Sequence, residues 1–599
     1  MAKKIIFFLF FIKHLCCNNV IGQVTIDTVT IQEKKYIHHH LVADHNTQNK
    51  DYFTSTEFLE NITSGQIQQN TPGGLQTFLH HGLGNRHLSV LWQGINIQSV
   101  INGSYDLSLI PIDLMSNVSF YSTGNPALQG NNNFAGAIDI QNDNQTITNN
   151  KIFASIESLQ NYLVGLNLNK KMKKVRISLG GDLAYDKNVF SYKYNGVTDK
   201  RTPTNLFKQN LLFDITWFTS KNQVLKANLW FQHANRHIPV SVSSAPTDQR
   251  QTDQNLRTQI SHLYYFRNKK LETSISYMNE KLNFFTPAIR SLSTVNSVIY
   301  TSQLSETKSQ KWFTGVTFRR DAASPNFYTS VKTRNTLLLS GAYKMNWSKN
   351  LTTNLALRQD HVDKKWMPLS WNVHTAYRNT TLTISGNYNL PGFNDLYWPV
   401  GGNINLKTER STQAELKTEI KSDNWVFRLA AYGHIVHDWI QWLPQSNGLF
   451  SPENQKKVFS RGLDFSVTKK VPFKNFIFEP IIQCNLNKTT AIDHYFDPTL
   501  IGKQLIYVPK LKAKIALNAK FKNQYAILSY EFTGTRYDVP DQSMQLQPIH
   551  LLHLSYQINR NNWNYILQFN NVLDLPYQVT RFYPMAGINL SLKVIHNIL

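Results

Sequence analysis

Side chains able to do chemistry are sparse here, and they are poorly grouped. A tract at His38–His40, with His45 nearby, either holds a transition metal or is solvated linker. His80 and His81 are adjacent and read as packed core rather than ligands. Asp182, Asp186 and Asp199 fall near one early loop, but they do not make the compact carboxylate cluster that calcium requires, and they read as solvated loop. Cys16 and Cys17 lie in a hydrophobic leader, which leaves Cys484 alone. No disulfide and no cysteine metal cluster can then form in the remaining chain. There is no nucleophile-elbow serine, no phosphate loop, no zinc-binding helix pair and no cysteine with a spaced histidine. The sequence therefore assigns no catalytic residue, no metal ligand and no cofactor, and an enzyme is not expected.

The elements that would position any site are strands. From about Asn150 onward the apolar pattern has period two. In Thr381–Leu390, the residues Leu382, Ile384, Gly386, Tyr388 and Leu390 share one face, opposite Thr383, Ser385, Asn387 and Asn389. In Val224–Gln232, Leu225, Ala227, Leu229 and Phe231 alternate with Lys226, Asn228, Trp230 and Gln232. One apolar and one polar face per strand suits a membrane barrel with lipid outside and a wet lumen inside. It also suits a string of soluble β-domains. Three features favour the barrel. Lys3 and Lys4 followed by Ile5–Ile12 read as a secretory leader, with cleavage placed after Gly22. Aromatic residues make up 12% of the chain and recur at strand ends (Trp217, Phe218, Trp425, Trp563), as an interfacial girdle requires. No Pro-rich or Ser-rich linker interrupts the array.

Composition narrows the class further. A mean hydropathy of −0.35 is too polar for a helical membrane protein but ordinary for a strand-built one. The net charge of +24 first suggests nucleic acid. The basic residues are scattered, however, and runs such as Lys170–Lys174 sit in expected turns. In an exported chain such a rim meets outer-membrane lipid phosphates, including lipopolysaccharide, and nucleic acid is not expected as a partner. Residues 150–599 provide 450 positions. At ~10 residues per spanning strand, they fit a barrel of about 22 strands, the size of outer-membrane transporters with a plugged lumen.

The region ahead of the array is compact and Gly- and Asn-rich. It contains Gly82–His87, Val90–Ile97, Asp106–Pro111, Asn117–Gly124, Asn125–Gly130 and Phe134–Ile140 in that order. This order resembles the plug domain of TonB-dependent outer-membrane receptors. Further along, Phe393–Glu415, His437–Gln445, Ser451–Gln455, Ser460–Phe465, Gly502–Lys510, Thr533–Asp538 and Phe569–Tyr577 are similar to barrel motifs of the small, cobalamin-receptor-like members. Thr25–Ile31 is similar to a TonB box, whose β-branched residues suit strand addition to a partner. The chain departs from the family pattern in three places: His81–Gly82 replaces an Arg-Gly pair, Gln93–Gly94 replaces Asp-Gly, and Leu599 replaces a terminal aromatic.

The resemblance implies a large transmembrane antiparallel β-barrel with a small N-terminal α/β plug in its lumen. The implied division is 1–22 leader, 23–45 TonB-box segment and linker, 46–145 plug, and 146–599 barrel. It also implies a monomeric energy-coupled receptor in the outer membrane of a Gram-negative cell. Asp27, Thr28, Val29, Thr30 and Ile31 would meet a TonB-type periplasmic energy transducer. The cargo would be a scarce bulky ligand, with a cobalamin-like corrinoid favoured over ferric siderophore or haem. The other classes kept open are a passive porin or adhesin and a secreted enzyme on a β-scaffold. Candidate ligand contacts are Asn102 and Tyr105 at the plug apex, and Tyr397, Trp398, Trp439 and Trp442 in outer loops. The loop aromatics form either an apolar lip over a ligand or part of the interfacial girdle.

Overall fold

The computed structural model describes residues 41–44, 52–123, 125, 130–142, 150–194, 196–245, 247–308, 311–444, 450–494 and 497–598. The leader, the Asp27–Ile31 segment, His38–His40 and His45 lie outside the described residues.

Period-two alternation becomes a closed antiparallel barrel. Among the described residues it contains 24 paired segments, of which Lys365–Trp366 and Val471–Phe473 are short hairpin pieces, leaving 22 spanning strands. The last strand, Asn589–Ile598, pairs with the first, Asn150–Glu157, so no edge is left open. The faces follow the pattern read from the sequence. Leu382 and Ile384 point outward, whereas Thr383, Ser385, Asn387 and Asn389 are buried inside. Tyr388 departs from this pattern. Period two puts it with Leu382 on the apolar face, yet it is buried, with its hydroxyl donating to the Asp360 carboxylate. A buried carboxylate near the strand end captures the phenol, which needs a partner once it leaves water.

One end of the barrel has tight turns, such as 221–222, 378–379 and 561–562. The other carries long connections, including 187–205, 390–408 and 571–588. Short turns mark the periplasmic end of such barrels and long loops the outer end. Trp217, Trp425 and Trp563 stand exposed beside the short turns, at 48%, 45% and 41%. They form the interfacial girdle expected there. Among the described residues, no helix is long and apolar enough to cross a membrane.

The described residues between 41 and 142 build a separate small fold. Its sheet is formed by β1 (Leu41–Asp44), β4 (Ser89–Trp92), β5 (Ile95–Asn96), β6 (Asn117–Tyr121) and β7 (Ala137–Gln141), in the order β1-β6-β7-β4-β5. Only the β4–β7 pairing is parallel. A hairpin of β2 (Gln66–Gln69) and β3 (Gln76–Leu79) packs beside it. Helix α1 (Ser55–Ile62) starts where Thr54 caps it by accepting the Glu57 N–H at 3.1 Å. It buries Phe58, Leu59 and Ile62, one stripe of an amphipathic turn. It ends at Thr63, whose hydroxyl donates back to Leu59 O at 2.8 Å. The core beneath contains Phe78, Trp92, Phe120, Phe134 and Ile138.

This small fold sits inside the barrel, because it meets the inner wall on every side. Arg319 donates to Asn96 O at 3.1 Å, and Lys514 donates to Asn61 Oδ1 at 2.8 Å. Arg236 pairs with Asp106. Lys593, which is fully buried, pairs with Asp113 at 2.5 Å and donates to Tyr52 O at 2.8 Å. These residues lie on strands spread around the whole circumference.

Candidate functional site

The outer end of the plug is the loop that follows β5. Helix α2 (Phe393–Tyr397), in the long outer connection 390–408, stands directly on it. A helix start leaves backbone N–H groups without intrahelical partners. Here the plug backbone satisfies two of them: Phe393 N donates to Val100 O at 2.9 Å, and Asn394 N donates to Ile101 O at 3.1 Å. Gly392 allows this approach, because a Cβ there would lie 2.5 Å from Ile101 O. The Asn394 amide donates to Asn102 Oδ1 at 2.9 Å. Asp395 gathers the rest. It accepts from Gly392 N at 2.7 Å, from Trp442 Nε1 at 2.9 Å and from Arg86 Nη1 at 3.0 Å. Burial pulls the Arg86 guanidinium down, but Asp395 more than offsets this and holds it above its usual range.

Aromatic rings surround α2. Phe327 lies 4.6 Å from Trp398 and Tyr328 lies 6.1 Å from Tyr397, between ring centroids. Phe393 lies 5.8 Å from Tyr397. Lys332 Nζ is 5.0 Å over the Tyr397 ring, and Arg334 is 4.7 Å over that of Phe393. The Tyr328 hydroxyl donates to Asn394 Oδ1 at 2.9 Å. Burial, then the neighbouring Asp395 and Tyr397, push its pKa up, so it remains a donor. Below α2, a cavity of 240 Å³ runs between plug and wall, past Val100, Arg319, Arg334 and Arg358.

Of the residues picked from sequence, Asn102, Tyr397, Trp398 and Trp442 gather around α2. Tyr105 and Trp439 do not. Tyr105 is only 8% exposed and sits 5.7 Å from the Arg257 guanidinium at the barrel wall. Trp439 lies 4.5 Å from plug His87, where the strand register shifts beside it. A bulge re-aims side chains, and no periodicity argument could have placed that ring. Sequence reasoning missed Phe327, Tyr328, Arg86 and Asp395. Phe327 and Tyr328 follow Pro325 in an outer connection, and that aromatic pair after a turn residue was the available cue. The Arg86–Asp395 pair joins positions 309 residues apart and leaves no local trace. Asp182 and Asp186 take neutral-amide and lysine partners, Asn210 at 2.8 Å and Lys208 at 3.7 Å. Asp199 lies elsewhere, in the hairpin Ser191–Lys200.

Comparison with known proteins places this geometry. Residues 41–572 match the family model described as TonB dependent receptor-like, beta-barrel. A vitamin B12 transporter, BtuB of Photobacterium profundum, is 29% identical over 120 residues, 18% of this chain and 20% of that protein. The chain therefore spans about a fifth of the length of this curated relative. Among solved structures, the FrpB iron transporter from Neisseria meningitidis superposes with a TM-score of 0.75 at 11% identity, over 92% of this chain and 97% of that one. The copper transporter OprC gives 0.75 at 13% identity, with the same two coverages of 92% and 97%. These likenesses show the fold. The chain belongs to the TonB-dependent receptor family and is an outer-membrane β-barrel protein.

Proposed function

We propose that this receptor captures a bulky ligand with apolar faces, a cobalamin-like corrinoid, at the outer end of the plug and imports it into the periplasm. A TonB-type energy transducer drives import by pairing with Asp27–Ile31. The observation that carries the reading is the seat of α2 on the plug. A ligand held by the rings around Tyr397 and Trp398 touches an element already bonded to Val100, Ile101, Asn102 and Arg86. Occupancy outside is thereby felt by the plug, which the periplasmic partner pulls. The outer membrane stores no nucleotide, so the work must arrive through that contact. The short stretch of identity with the B12 transporter favours the corrinoid. The protein acts as a monomer among lipopolysaccharide, with its scattered basic residues at the lipid phosphates.

Equilibrium binding of cyanocobalamin, ferric siderophores and haem to the purified full-length protein tests the ligand. Saturable cyanocobalamin binding is expected. Its absence, with saturable binding of a ferric siderophore or haem, overturns the corrinoid and leaves the transport mechanism standing. Coupling is tested separately by Val29→Pro, since proline removes a strand donor. Uptake should fall to background while binding is kept, and unchanged uptake rejects the Asp27–Ile31 assignment.

A further inference from the structure

The two histidines that read as plain core occupy an unusual place. Neighbours on a strand point to opposite faces. β3 ends at Leu79, and His81 takes a left-handed backbone with φ 52°, followed by Gly82 at φ 72°. A side chain at 82 would run into Thr489, so only glycine fits. The turn brings the His80 and His81 rings to one side, stacked with centroids 3.7 Å apart. Both face the barrel residue Asp464, and one ligand atom from each of the three lies within 4.8 Å of the others.

The ring nitrogens are sorted by their partners. His80 Nδ1 lies 3.0 Å from Ala135 O, a pure acceptor, so this nitrogen carries the proton and Nε2 keeps its lone pair. His434 Nδ1 lies 2.8 Å from Gln413 Oε1, so the same argument makes His434 Nε2 an acceptor. His81 Nδ1 donates to that Nε2 at 3.1 Å, which turns His81 Nε2 toward Asp464 Oδ2, 2.9 Å away. The other oxygen of Asp464 is already engaged, accepting from Asn485 at 2.7 Å and from Ser64. Each of three donor atoms thus has an outer partner that fixes its direction, the arrangement that supports metal ligands.

We propose that His80 Nε2, His81 Nε2 and Asp464 Oδ2 form a binding site for a divalent transition-metal ion of the zinc class, bridging plug and barrel. A tetrahedral ion with bonds of about 2.0–2.2 Å holds its ligands roughly 3.3 Å apart, so modest side-chain movement closes the set. Two imidazoles and a carboxylate suit zinc, copper, nickel or cobalt rather than calcium or magnesium. On binding, the ion replaces the proton on His81 Nε2, which passes to solvent. The fourth position opens on a cavity of 680 Å³ between plug and wall, lined by Ser64, His80, Glu415 and Asp464. The bound ion therefore ties the plug to the strand Phe450–Lys469. The sequence assigned no metal ligand because the third donor lies 383 residues beyond the second. The site does not depend on which cargo the receptor carries.

The test uses the full chain, purified in detergent, stripped with chelator, and carrying H38N, H39N, H40N and H45N to remove the N-terminal tract. Calorimetric titration with Zn²⁺ should show one saturable site. X-ray absorption of the zinc-loaded protein should show scattering from two imidazoles. His80→Gln and Asp464→Asn should each weaken binding at least about tenfold, and Ser64→Ala about tenfold, because the Ser64 hydroxyl that orients the Asp464 carboxylate is lost. Compact barrel migration on unheated gels checks that each variant is folded. Absence of saturable Zn²⁺ binding, an all-oxygen ligand shell, or undiminished affinity in a folded H80Q or D464N variant overturns the proposal. The first two readouts need no site variant.

Discussion

Lys593 shows how single side chains hold the plug. Its ammonium is fully buried, paired with Asp113, and it also donates to Tyr52 O. Such a pair contributes little net stability over an apolar replacement, but removing one partner strands a buried charge. Lys593→Met should lower plug stability by about 3–5 kcal/mol, while K593M with D113N should recover much of that loss. Thermal or denaturant unfolding followed by plug protease sensitivity checks this. A penalty for the double variant equal to the sum of the two single penalties would reject the pairing. The same logic explains why Arg86 and Asp395 are best altered together.

At the scale of elements, α2 is the contact between the outer loops and the plug. Asn102→Cys with Asn394→Cys should form a disulfide, since Asn394 N donates to Ile101 O at 3.1 Å and so brings the two backbones together there. The oxidised receptor should bind ligand but lose uptake, and reduction should restore it. Uptake unaffected by oxidation would mean that α2 need not move from the plug. Cys484 is the sole other cysteine of the described residues and is half-buried on a barrel strand, so it offers no competing partner nearby. Strands of this kind were legible in the sequence, because a wall between lipid and lumen imposes alternation on nearly every residue. Leu382 and Ile384 went where period two puts them. Tyr388 and Trp439 did not, since a hydroxyl seeking Asp360 and a shifted register are tertiary events. For the site, the plug-apex loop and the Tyr397–Trp398 pair could be read from motif order. Their union with Phe327, Tyr328 and Arg86 could not, because long-range contacts have no sequence period.

Taken whole, the molecule is a closed wall around a stopper, and the two are joined by charged and polar side chains such as Arg236–Asp106 and Lys593–Asp113 as well as by apolar contacts such as Trp92 with Trp230. The stopper's core of Phe58, Phe78, Trp92 and Phe120 continues into wall residues such as Phe153 and Trp230, so only part of the seam is polar. Polar seams can exchange partners with water as they open, whereas an apolar seam would expose oily surface.

The Lys593 anchor also dictates an order of assembly. The plug leaves the ribosome early, yet Tyr52 must wait for a residue 541 positions later. Lys593 sits on the strand that closes the barrel against Asn150–Glu157. Contacts this distant in sequence form late, because closing so long a loop costs entropy before any contact compensates. The Lys593 anchor can therefore be made only as the last stave of the wall goes in. A chain truncated before Asn589 would carry a plug without its Lys593 anchor and a barrel with an open edge.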